Sequence, residues 1–175
     1  MDSRLAKLQR ALHTAIAGMT SQGLSWHPPG KWCAAEVLEH LYLTYTGTVK
    51  GFQRVEAAEK PLTTPATWAQ RRRSLVVVGL GYMPTGRKSP PVAQPRGLPA
   101  EKVVAEVGAK IAEMDEIITR CAAKLGARRK LLDHPILGPL TAGQWRKFHL
   151  VHGLHHAKQI QRLREASREL KQGAG

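Results

Sequence analysis

His149-Leu150-Val151-His152-Gly153-Leu154-His155-His156-Ala157-Lys158-Gln159-Ile160 holds four of the eight histidines of a 175-residue chain. Read as a helix, it puts positions 152 and 156 one turn apart on one face. At about 100° per residue, Trp145, His149, His152, His156, Gln159, Ile160 and Leu163 share one arc. The apolar members mark that arc as the buried one. Phe148 borders it, and His155 lies further round. Two inward imidazoles at this spacing can hold one divalent metal if another helix supplies a third ligand. A lone buried histidine is more often a hydrogen-bonded core residue. The pair therefore needs a facing helix with a histidine of its own.

Working outward, Thr141 caps this last helix, which is expected to run to about Leu170 before a frayed Gln172-Gly173-Ala174-Gly175. Before it, Asp133-His134-Pro135-Ile136-Leu137-Gly138-Pro139-Leu140 reads as an extended connector. Residues 100–125 form a clear amphipathic helix through Val103, Val107, Ile111, Met114, Ile118 and Cys121, closed by Gly126. Upstream, Gly81 to Pro99 holds five prolines and three glycines, an irregular connection of the kind that covers a site or joins an interface. Thr64-Pro65 reads as an N-cap with proline at the first helical position, opening a helix to about Leu80. For Leu75 to Val78, strand is the open alternative, because periodicity does not separate the two in so short a run.

A helix from about Cys33 supplies the facing histidine. Cys33-Ala34-Ala35-Glu36 has capping-box spacing, with cysteine where serine or threonine is usual. Val37, Leu38, Leu41, Tyr45, Val49 and Phe52 face a core, and His40 sits at the edge of that arc. Ser25-Trp26-His27-Pro28-Pro29-Gly30 is a loop. Residues 2–19 form a first amphipathic helix through Leu5, Leu8, Leu12, Ile16 and Met19. The expected architecture is all-α. It has four long helices, up-and-down or crossover, one insertion over about 56–100, and no sheet, in one domain spanning 1–175.

Hydrophobic content of 42% and charged content of 23% are those of an ordinary soluble domain. The longest apolar run, Leu75 to Leu80, falls well short of the ~18 residues that span a bilayer, and the polar N-terminus is no signal peptide. Two separated cysteines give no disulfide framework and point to the cytoplasm. The net charge of +14 leaves nucleic-acid binding as an alternative, with Arg71 to Arg73 and Arg128 to Lys130 as its basic runs. Aromatic residues are not interleaved with them as a stacking platform would need. A zincin protease is excluded, because Gly153 stands where its motif has glutamate. His13, His27 and His134 are assigned no role, and His149 and His155 are read as neighbours of the pair.

Three segments together resemble the DinB/YfiT-like superfamily. Trp32-x3-Glu36-Val37-Leu38-x-His40-Leu41 is similar to its second-helix signature. His152-x2-His155-His156-x2-Gln159-Ile160 is similar to its C-terminal one. His134-Pro135-x2-Gly138-Pro139-Leu140-Thr141-x2-Gln144-Trp145 resembles the connector of an uncharacterised DinB-related group. The resemblance covers about Trp32 to Ile160. It implies a four-helix bundle, often dimeric, with a divalent metal (zinc, nickel, iron or manganese) on a triad that maps onto His40, His152 and His156. It further implies a metal-dependent enzyme acting on a small molecule, either a hydrolase or an S-transferase that uses a low-molecular-weight thiol. Glu36 would then orient a ligand or move protons; its rival role is the cap alone. The alternatives are a basic nucleic-acid-binding module and a stress-linked, non-catalytic dimer.

Overall fold

The computed structural model describes residues 1–86 and 89–173, with residues 170–173 as helical backbone only. It is mostly helical: α1 (Ser3–Ile16), α2 (Ser21–Ser25), α3 (Ala34–Ala58), α4 (Trp68–Ser74), α5 (Ala100–Leu125) and α6 (Ala142–Gly173), with strands β1 (Lys130–His134) and β2 (Gly138–Thr141). Of the end expected to fray, Gln172 and Gly173 instead continue α6, and residues 174 and 175 lie outside the described residues. Among the described residues, no helix is long and apolar enough to cross a membrane.

The directions of the four long helices follow from their contacts. Tyr42 bonds Glu106 and Glu56 bonds Arg120, so α3 and α5 run the same way. Arg4 reaches Gly143 and Arg164 reaches Thr14, so α1 and α6 also run alike. His40 faces His152 while Phe52 faces Trp145, which sets α3 against α6. Parallel α3 and α5 require a crossover between them, and residues 59–99 supply it. Leu5, Leu8, Leu12, Leu38, Leu41, Tyr45, Phe52, Ile111, Met114 and Ile118 are fully buried in one core. Each such side chain contributes about 1.5–3 kcal/mol by leaving water.

Two glycines set how closely elements approach. A Cβ on Gly153 would lie 2.2 Å from Leu8 Cδ1, so α1 presses directly against the histidine face of α6. A Cβ on Gly51 would lie 2.7 Å from Leu132 Cδ2, and that gap seats the β-hairpin on α3.

The structure corrects several expectations outside the long helices. The connector is no plain extended segment: β1 and β2 form an antiparallel pair with a bulge between Lys130 and Leu132. The Trp145 indole donates to Leu132 O at 3.1 Å and ties the pair to α6. His134 has a structural place here. Its Nδ1 accepts the N–H groups of Ile136 and Leu137 and shapes the turn. Thr64 does not cap α4. It gives its N–H and hydroxyl to Asp133, while Thr67 forms a capping box with Gln70. The run after Ser74 is neither α-helix nor strand but a π-helical turn, Leu75–Gly79. The first helix stops at Ile16, followed by Gly18 at φ +71° and the short α2.

Candidate metal centre

His40 lies on α3 with only 5% of its surface exposed. Its Nδ1 is 2.7 Å from the carbonyl oxygen of Ala93. A carbonyl only accepts, so Nδ1 carries the proton and Nε2 keeps a free lone pair. The Ser89 hydroxyl stands 3.2 Å from the same Nδ1, and Trp32 packs beside the ring, centroids 5.5 Å apart. Ala93 ends a short 3₁₀ turn, Pro91–Ala93, in the crossover. What fixes that turn is Glu39, the residue before His40. Its buried carboxylate accepts the backbone N–H groups of Arg96 (2.7 Å), Gly97 (3.1 Å) and Leu98 (3.1 Å). Burying a carboxylate is costly unless donors replace its water, and this strap supplies three.

On α6, His156 Nδ1 lies 2.9 Å from Gln159 Oε1 and donates to it. That bond also leaves Nε2 bare. His152 Nε2 lies 3.2 Å from both His40 Nε2 and His156 Nε2, and the ligand atoms of all three lie within 4.8 Å of one another. Two metal–nitrogen bonds of about 2.05 Å at a tetrahedral angle hold their nitrogens about 3.3–3.4 Å apart. The 3.2 Å separations approach that value.

Burial pushes all three imidazoles toward the neutral form. His40 is held below its ordinary value by desolvation, and His156 falls to about 4 for the same reason. His152 is pushed well down, first by desolvation and then by its histidine neighbours. Neutral rings suit a metal. Without one, the cluster lacks protons for its geometry. If His152 carries its proton on Nε2, it can be shared with the two bare nitrogens, but Nδ1 is then a buried acceptor without a donor. If the proton is on Nδ1, three lone pairs face one another. Nδ1 has no partner in either case. A divalent cation removes the second conflict at the Nε2 atoms, so the donor set fits a metal.

The remaining sequence candidates fall as follows. Glu36 is in the cap: its Oε2 accepts the Cys33 N–H at 2.8 Å, while Cys33 Sγ accepts the Glu36 N–H at 3.4 Å. It is not among the residues brought together as metal ligands. His149 is fully buried one turn before His152, with its Nε2 3.0 Å from Thr48 Oγ1. Because Thr48 gives its own proton to Thr44 O, His149 donates from Nε2 and its Nδ1 stays bare. His155 is half-buried with its ring 5.1 Å from His156. His13 and His27 are exposed. Sequence reasoning missed Glu39 and the strap carbonyl of Ala93, whose partners lie more than fifty residues away in the chain.

A family model described as "Protein of unknown function (DUF1569)" matches residues 1–163, a span that includes all three histidines. No curated protein and no solved structure matches the chain.

Proposed function

Since the chain belongs to this family of proteins of unknown function, we propose from its own geometry that it is a metal-dependent protein of DinB/YfiT type. On this reading the four long helices are the superfamily's bundle, and His40, His152 and His156 hold one divalent ion. The observation that carries it is the convergence of three Nε2 atoms from two helices, at separations of 3.2 Å around His152. A divalent ion held by three imidazoles supplies Lewis acidity toward water or a thiol. That chemistry supports a hydrolase or thiol-dependent S-transferase acting on a small molecule. The protein's own groups bind and orient: Ala93 O and Gln159 Oε1 fix the tautomers of His40 and His156. Trp32 and the strap from Ser89 to Leu98 shield His40 from bulk water. The metal's identity follows availability, since zinc, nickel, iron and manganese all accept imidazoles. The dimer implied by the resemblance belongs to the same reading, and a monomer in analytical ultracentrifugation removes that element.

Elemental analysis of untagged protein tests the proposal. About one equivalent of divalent metal is expected in the wild type, lost in both His152→Ala and His40→Ala. A wild-type protein that neither retains nor takes up zinc, nickel, iron or manganese refutes it.

A further inference from the structure

Two basic runs that the metal centre does not use, Arg71-Arg72-Arg73 and Arg128-Arg129-Lys130, lie far apart in sequence. The fold brings one member of each to the same place. A cavity open to solvent, of about 790 Å³, is lined by Arg71, Lys130 and Lys147, with Ser74, Thr64 and Gln144 as neutral polar groups. Its walls include Leu75, Val78, Leu137 and Pro139, and no carboxylate lines it. The volume is within the usual range for small-molecule sites, roughly 300–1,000 Å³.

Two of the three cations have neutral partners. Lys147 Nζ donates to Gly79 O at 2.9 Å, and Lys130 Nζ donates to Gln144 Oε1. Among the described residues, none of the three cations is in an ion pair. Asp133 bonds Thr64 at the edge but does not line the space. In a chain of net charge +14, three cations around one cavity repel one another until an anion joins them. A second, independent sign is the wall itself: Leu75–Gly79 is a π-helical turn, a rare conformation that recurs at functional sites.

We propose that this cavity is a second binding site, separate from the histidine cluster, for a small organic anion. A carboxylate or phosphate head meets Arg71, Lys130 and Lys147, and a short apolar body lies against Leu75, Val78, Leu137 and Pro139. Arginine offers a planar fork for such a head, and the lysines offer point charges.

Hexyl phosphate and hexanoate are the probes, titrated by calorimetry and by amide NMR at low ionic strength, with hexylamine as the control. At least one anion binds saturably and shifts the amides of Gly79, Leu137 and Gln144, while hexylamine does not. The tighter of the two identifies the head group. Arg71→Gln, at the exposed rim, and Lys147→Gln each weaken binding by about tenfold or more, as loss of a charge-assisted hydrogen bond requires. His152→Ala leaves binding unchanged, so failure of the metal reading and failure of this one are distinguishable. The proposal is overturned if neither anion saturates below about 10 mM, a bound at which affinity is negligible. It is also overturned if hexylamine binds as well, or if the shifts centre on His40 and His156.

Discussion

Glu39→Gln separates the strap from the helices that carry it. The carboxylate accepts three backbone N–H groups at 2.7, 3.1 and 3.1 Å, each a hydrogen bond to a charged group contributing about 1.5–3 kcal/mol. Glutamine keeps one carbonyl acceptor and turns an NH₂ toward the remaining donors. One to two of the three bonds are lost, a cost of roughly 2–5 kcal/mol to docking of the strap. The long helices bury their apolar faces without the strap, so global unfolding shifts by less than this. His40 loses its Ala93 acceptor whenever the strap lifts, and metal affinity should fall about 10- to 100-fold, as for loss of other outer partners of ligating histidines. Hydrogen exchange at the Arg96, Gly97 and Leu98 amides reads the docking, and a chelator-competition titration with zinc reads the site. Unchanged exchange at those three amides refutes the anchoring role of Glu39. Faster exchange with unaltered zinc affinity refutes the link from strap to His40.

Acid should weaken the metal-free protein well before its carboxylates protonate. Burial lowers His149 to about 3 and His134 to about 4, so the unfolded chain takes up protons near pH 6.5 that the folded chain refuses. Stability is therefore full above about pH 7 and falls between about 6.5 and 4, by up to ~2.7 kcal/mol per pH unit for the two together. Urea midpoints at pH 7.5, 6 and 5 with chelator present check this, and a flat series contradicts it. Gln159→Leu removes the acceptor for His156 Nδ1. Zinc affinity should drop about 10- to 100-fold in a competition titration while the apoprotein's melting temperature changes little. Cys33→Ser puts a shorter, stronger acceptor at the cap of α3 and should stabilise the protein by up to ~1 kcal/mol in urea. A lower midpoint would mean that packing of the buried thiol outweighs the cap.

The long helices were legible because α1, α3, α5 and α6 each repeat an apolar face over three or more turns. The capping box at Cys33–Glu36 and the Thr141 cap were equally local signals, and the structure adds that Gln144 completes a box with Thr141. His152 and His156 were legible for the same reason, being neighbours on one helix. Glu39 was not. In sequence it is an acidic residue in mid-helix, and nothing nearby says that three amides from residues 96–98 will surround it. The hairpin escaped because its strands are four and five residues long, carry Pro139, and show no clean alternation. Thr64 lost the cap of α4 to Thr67 because only Thr67 has a Gln three positions on. The π-helical turn over Leu75–Gly79 has a period that neither a helix nor a strand template matches.

The histidine cluster combines two opposed demands. Burial makes the imidazoles poor bases, so near neutral pH they keep their lone pairs available without competition from protons. The same burial leaves His152 Nδ1 without any partner. The metal-free cluster therefore stores unfavourable polar contacts within an otherwise well-packed core. Two of its histidines come from one turn of α6, whose backbone is fixed by the close approach of α1 at Gly153. The third is aimed by a strap that Glu39 alone binds with three hydrogen bonds. Positional freedom is thus concentrated on the His40 side. Geometry that adapts to a bound ion should do so through the strap, with α6 as the fixed half of the site.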